Sequence, residues 1–154
     1  EVLARIWKIR RSQLYFLLTK LVERGWVKSS PQRGGRGPAR MMYRLSRSGR
    51  GALHRWLRTP VPAPRDLRGQ FVAKLYLALR TSPTMARTLV LRQRATLRQW
   101  LQRHPSAQLT TGPAAQVLGL REAQTRAAIE YLEDLAHSRF FRSRPLEARA
   151  RQAG

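Results

Sequence analysis

From Pro31 to Ala39 the chain reads PQRGGRGPA, a string that neither a helix nor a central strand can hold. Proline lacks the amide that a hydrogen-bonded ladder needs, and glycine gives up more backbone freedom on ordering than any other residue. The stretch is therefore a turn. Its flanks are different. WVKSS before it and RMMYRL after it carry bulky and β-branched residues that suit strands. Two strand-like arms joined by a glycine-arginine tip make a hairpin, and the hairpin limits what can stand on either side of it.

On the N-terminal side Ser12 is placed as a helix cap, followed by QLYFLLTKLVERG. Leu14, Leu17, Leu18 and Leu21 recur at i, i+3, i+4 and i+7, one stripe of a helix of about three turns. Gly25 stands where a helix ends in a left-handed residue. With that stripe buried, Gln13, Phe16, Lys20 and Arg24 lie off it. On the C-terminal side Ser46 caps RSGRGALHRWL, whose apolar side is Leu53, Trp56 and Leu57, and Gly49 and Gly51 weaken its first turns. RTPVPAPR breaks the pattern and reads as a linker.

Helix, hairpin, helix is the back half of a winged helix-turn-helix. A helix with a polar outer face fits the DNA major groove, where its N-terminal residues reach base edges. A glycine-rich tip can approach a phosphate backbone closely, and its arginines supply charge. In this reading Arg33, Arg36 and Arg40 anchor the backbone, while Ser12, Gln13, Tyr15, Phe16 and Lys20 form the rest of the DNA-binding set. Phe16 either meets a thymine methyl or packs on the wing, and packing is the expectation. Trp7 and Trp26 are expected in the winged-helix core.

The charge points the same way. The 154 residues carry 31 Lys and Arg against 8 Asp and Glu, a formal charge of +23, which favours a polyanionic partner. All the basic residues except Lys8, Lys20, Lys28 and Lys74 are arginine, so biased codon usage also contributes. Both halves are basic: residues 1–60 hold 15 basic and 2 acidic side chains. An apolar fraction of 42% is enough for a core. Cysteine is absent, which excludes disulfide and thiolate chemistry and fits a reducing, cytoplasmic setting. No apolar run approaches the roughly 20 residues that span a bilayer, so no membrane partner is expected.

The remainder reads as helices. In DLRGQFVAKLYLALR, Leu67, Phe71, Leu75 and Leu79 form a stripe with Val72 and Ala78 beside it. Ser82 and Pro83 open a helix that runs through Leu89, Leu97, Trp100 and Leu101 to His104. SAQLTTGPAAQVLG reads as a loop or weak helix start, followed by a last long helix with Ile129, Leu132, Leu135 and Ala136 on its apolar stripe. Glu122, Glu130, Glu133 and Asp134 gather on that helix as a solvated face pairing with nearby arginines. The fold class is thus mainly α with a small β-hairpin wing. Its domains are a winged helix-turn-helix over 1–60, a helical module over 61–141, and a polar basic tail over 142–154.

Catalytic and metal chemistry find little support. His54, His104 and His137 are far apart and lack the spacing of a metal site. RGGRGPAR lacks the G-K-[ST] ending of a phosphate-binding loop. No carboxylate pair or Ser/His/Asp set stands out, so neither an enzyme nor a cofactor is expected.

SQLYFLLTKLVERGWV followed by GRGPARMMYRLSRSGRGALHRWL resembles the PadR family of bacterial transcriptional regulators. Tyr15, Leu18, Leu21, Gly25, Tyr43, Arg44, Leu45, Gly49, Trp56 and Leu57 match the family pattern, with Ser46 where Thr is usual and Val22 where Glu is common. PRDLRGQFVAKLYLAL is similar to the start of the helical C-terminal module of longer PadR-like proteins, so the resemblance covers residues 1–80. EVLARIWKIRRSQ resembles only the end of the helix before the recognition helix, which implies an N-terminally truncated domain without its first helix. The resemblance implies a homodimeric repressor of double-stranded DNA, with the C-terminal helices making the dimer; Ile129, Leu132 and Leu135 are read either as its interface or as ordinary core within the chain. Such a dimer would set its two recognition helices about 34 Å apart. It also implies a small aromatic or drug-like effector, which Tyr76, Trp100 and Trp56 could line, although aromatics at helical spacing are more often core. The alternative is a basic protein that binds nucleic acid without sequence preference and uses the winged helix for protein contacts.

Overall fold

The computed structural model describes residues 9–32, 40–105, 111–138 and 141. The chain divides into two compact units between Trp56 and Leu57. In order the elements are α1 (Arg11–Glu23), β1 (Val27–Gln32), β2 (Arg40–Leu45), α2 (Arg47–Arg58), a 3-10 helix (Pro64–Leu67), α3 (Gln70–Thr81), α4 (Pro83–Arg103) and α5 (Pro113–His137).

Helix α1 starts two residues earlier than the sequence suggests. Arg10 occupies the cap position in extended conformation, and no side chain caps the helix there. Ser12 lies inside the first turn and is not the cap. The other end is closed as expected. Gly25 takes φ +66°, its amide bonds to the Val22 carbonyl at 2.8 Å, and the Trp26 amide reaches the Leu21 carbonyl at 3.0 Å. These two bonds satisfy carbonyls that the helix end would leave open, and the left-handed residue between them is glycine because a Cβ would be strained there.

The leucine stripe of α1 is not buried as expected. Leu14 is 45% and Leu17 43% exposed, while Leu18 and Leu21 are half-buried. Among the described residues α1 rests chiefly on β1, which covers one edge of the stripe and leaves its N-terminal half open.

The strands pair antiparallel in the register Val27↔Leu45, Lys28↔Arg44, Ser29↔Tyr43, Ser30↔Met42, Pro31↔Met41 and Gln32↔Arg40. Ser46 then joins three elements. Its hydroxyl accepts from the Gly49 amide at 2.9 Å, the expected helix cap, and donates to the Gly25 carbonyl at 2.6 Å. The Ser46 amide donates to the Trp26 carbonyl at 2.9 Å. One residue thus fixes the end of α1, the root of the hairpin and the start of α2.

In the second unit the core is Leu57, Val61, Phe71, Ala78, Leu89, Val90, Leu97, Ile129, Leu132 and Ala136. The stretch read as a linker is built into it. Val61 is fully buried, and the Gln93 side chain serves its backbone like a neighbouring strand, accepting from the amide at 2.7 Å and donating to the carbonyl at 3.0 Å. Both polar groups of Val61 are therefore satisfied away from water, as a buried backbone requires.

Helix α3 buries Phe71, Ala73, Lys74 and Ala78, while Leu75 and Leu79 are half-buried. Lys74 therefore stands on the inner face, its ammonium donating to the Thr59 carbonyl at 2.6 Å, and burial pushes its pKa below the usual lysine value. Helix α4 opens as expected, with Ser82 accepting from the Met85 amide and Pro83 in the first turn.

Helix α5 is longer than the sequence suggests, because PAAQVLG is helical rather than a loop. Gly112 turns at φ +93°, and Pro113 supplies a preset first residue. Gly119 costs about 1 kcal/mol in a helix interior, too little to interrupt one of this length. Glu133 joins α5 to α4 through Arg94 at 3.0 Å and Arg98 at 3.1 Å, and Glu122 pairs with Arg126 on its own helix.

Candidate nucleic-acid interface

Side chains four apart on a helix lie one above the other. On α1 this sets Ser12, Phe16 and Lys20 on one face with Tyr15 and Thr19 beside them, and Gln13 at its border. All six are exposed, Tyr15 by 59% and Phe16 by 60%. Phe16 therefore does not pack on the wing as expected. The Lys20 ammonium lies 5.8 Å from its ring centroid. Lys20 also bonds Glu23 at 2.8 Å, both side chains being about half exposed. An ion pair in that setting is worth under about 1 kcal/mol, so a phosphate can compete for the lysine.

Partners across an antiparallel ladder share a face. One face of the hairpin thus holds Lys28, Ser30, Gln32, Arg40, Met42 and Arg44, all exposed. The other holds Val27, which is buried, Tyr43, which is half-buried, and Ser29, Pro31, Met41 and Leu45, which are exposed. The hairpin is accordingly anchored by Val27 at its root and carries a cationic side along its length. Lys28 and Arg44 stand directly opposite each other, and like charges so placed destabilise a sheet. Glu23 is the one acidic side chain among the described residues of this unit. Nothing there offsets the positive field of the cationic face except solvent and salt.

Of the expected backbone anchors, Arg40 begins β2 on that cationic face, while Arg33 and Arg36 lie outside the described residues, as does Trp7. Sequence reading assigned the charge to the tip and missed Lys28 and Arg44. The signal was present in the alternation of VKSS and RMMYRL, which puts both on one side once the register is known. Trp26 is half-buried, with the Arg24 guanidinium 5.5 Å from its ring centroid.

Of the residues read either as a dimer interface or as core, two are buried within the chain. Ile129 is 8% and Leu132 2% exposed within the single chain, where they serve the core, and Leu135 is half-buried. The open apolar residues of α5 are Val117, Leu120 and Tyr131, exposed by 54%, 60% and 63%. Their spacing puts them within one stripe of the helix. Of the three aromatics expected around an effector, Trp100 lines a cavity in the second unit, Tyr76 is not among its lining residues, and Trp56 belongs to the first unit.

Among the described residues no cluster of His, Cys, Asp or Glu could hold a metal ion. No helix there is long and apolar enough to cross a membrane.

Residues 1–55 match the model of the transcriptional regulator PadR-like family. Over 76 residues the chain is 33% identical to the negative transcriptional regulator PadR of Bacillus subtilis (strain 168), a match covering 49% of this chain and 42% of that protein. The chain thus matches less than half the length of this curated relative. It is also similar to the crystal structure of Bacillus subtilis PadR in complex with operator DNA, at 24% identity and a TM-score of 0.40, over 88% of this chain and 84% of that one.

Proposed function

We propose that the protein binds double-stranded operator DNA as a homodimeric repressor, a reading supported by the match of residues 1–55 to the model of the transcriptional regulator PadR-like family. What carries the reading is the cationic face of the hairpin. Lys28, Arg40 and Arg44 are exposed together on it, in a unit whose neighbouring helix presents Ser12, Gln13, Tyr15 and Phe16. The division of labour follows from chemistry. Cations on a strand face meet phosphates without regard to sequence, whereas Gln13 can bond a base edge and Phe16 can touch a thymine methyl. Arg33 and Arg36, which fall between the two strands in the sequence, belong to the same cationic set in this reading.

Dimerisation follows from the open stripe of α5. Val117, Leu120 and Tyr131 present bulky apolar surface in a highly charged protein, and a second copy of the same helix would cover it. Small effectors are received in the second unit beside Trp100.

A competition assay at near-physiological salt tests the reading. Labelled duplex from upstream of the protein's own gene is challenged with scrambled duplex. The expected result is a preference for the native duplex of roughly a thousandfold or more. Equal competition would replace the reading with that of a cationic binder indifferent to sequence.

A further inference from the structure

The cavity of the second unit has a volume of about 620 Å³, within the roughly 300–1,000 Å³ typical of small-ligand sites. Its cations come from two elements. Arg65 and Arg68 belong to the 3-10 helix and its C-terminal cap, and residues three apart in such a helix eclipse one another. The two guanidiniums therefore leave the same edge. Arg121 comes from α5, with Gln124 and Ala127 following at intervals of three on one face.

Among the described residues no acidic residue lines this cavity and no carboxylate pairs with these three arginines. Elsewhere in the unit Arg94 and Arg98 share Glu133, and Arg126 pairs with Glu122.

The remaining wall is of two kinds. Ala63, Leu67 and Ala127 give small apolar surface. Trp100 gives an indole, held by stacking on His104 at 4.5 Å and 15°. Gln124 adds an amide that can both donate and accept. Guanidinium groups recognise phosphate through paired N–H donors, and three of them exceed what a single carboxylate can neutralise. The doubly charged head of a phosphate monoester fits the cations, and a planar heterocycle fits the indole and the amide.

We propose that this cavity binds a phosphorylated compound with a planar ring, of the nucleoside monophosphate kind. The proposal deepens the effector reading and rests on it for any regulatory meaning, whereas binding itself is measurable without DNA.

The test is calorimetric titration of the full chain with adenosine monophosphate, inorganic phosphate, adenosine and benzoate. A protein of this charge attracts any anion, so the variants are matched in charge. Arg65→Gln with Arg121→Gln removes two cations from the cavity; Arg87→Gln with Arg103→Gln removes two exposed ones elsewhere on α4. The expected result is one nucleotide per chain, bound at least tenfold more tightly than phosphate, adenosine or benzoate. The cavity pair should weaken it tenfold or more and the control pair less than twofold. Equal loss in both pairs, or benzoate binding as well as the nucleotide, would overturn the proposal. Nucleotide binding of the expected kind that leaves duplex affinity unchanged would uphold the site and remove its regulatory role.

Discussion

Gly49 has no room for a side chain. A Cβ built there lies 1.9 Å from the Trp26 carbonyl oxygen and 2.8 Å from its carbon, and both are backbone atoms that the Ser46 bonds hold in place. Gly49→Ala should therefore destabilise the first unit by about 2 kcal/mol or more, the cost of forcing extra volume into a packed site. Gly51, two residues on, meets only the end of the Arg55 side chain at 3.6 Å. There Ala should stabilise α2 by about 0.5–1 kcal/mol through helix propensity. Denaturant unfolding followed by hydrogen exchange at the β1 and β2 amides separates the two, and equal effects would show that the close approach is not limiting. Lys74 is a different single-residue case. Its folded pKa lies below 10.5, so between the lowered value and 10.5 the unfolded chain binds more protons than the folded one. Stability of the second unit should accordingly rise with pH through that window, with a constant penalty below it. Lys74→Met should flatten the rise. An unchanged pH profile of unfolding in that variant would assign the slope to other groups.

At the scale of elements, the hairpin gives up stability for charge. Arg44→Gln relieves the repulsion with Lys28 and should strengthen the hairpin by a few tenths of a kcal/mol, within the range measured for cross-strand pairs. The same change should weaken binding to every duplex alike and reduce the slope of log affinity against log salt by about 0.9, one phosphate contact. Melting curves and a salt titration decide it: a variant that is more stable yet keeps its full salt slope would show that this face does not lie on DNA. Elements of this kind were legible in the sequence because each carried its own punctuation: Gly25 for the end of α1, Ser46 for the start of α2, Ser82 and Pro83 for α4. What was not legible depended on partners distant in the chain. Nothing near Val61 announces that Gln93 will satisfy its backbone, and nothing near Gly49 announces the Trp26 carbonyl. Lys74 broke the expected α3 stripe because its acceptor, the Thr59 carbonyl, lies outside the helix. The cationic hairpin face was hidden for a similar reason, since alternation assigns faces only after the register is set. Of the cavity arginines, Arg65 ends the stretch read as a linker, Arg68 follows it and Arg121 stands on the last helix, and only the fold brings them together.

For the molecule as a whole, the proposed function makes affinity for an operator depend on whether two chains act together. One winged helix offers few contacts, and pairing two copies makes the second engagement intramolecular, which raises overall affinity without any new contact. The apolar stripe expected to serve that purpose is largely consumed within the chain, since Leu132 is only 2% exposed. Leu132→Ala should therefore cost about 2–5 kcal/mol of folding stability, as truncation of a buried leucine does. Leu120 and Tyr131 are 60% and 63% exposed, so Leu120→Gln with Tyr131→Gln should leave the unfolding midpoint nearly unchanged. If α5 pairs through this stripe, the double variant should sediment as a monomer at concentrations where the parent is a dimer, and operator affinity should fall tenfold or more. The substitutions carry no charge, so the loss cannot be assigned to a weaker field around the DNA. A double variant that remains dimeric would move the interface off this stripe of α5. A parent that is itself monomeric, yet prefers its operator a thousandfold, would leave all discrimination to one α1 and one hairpin.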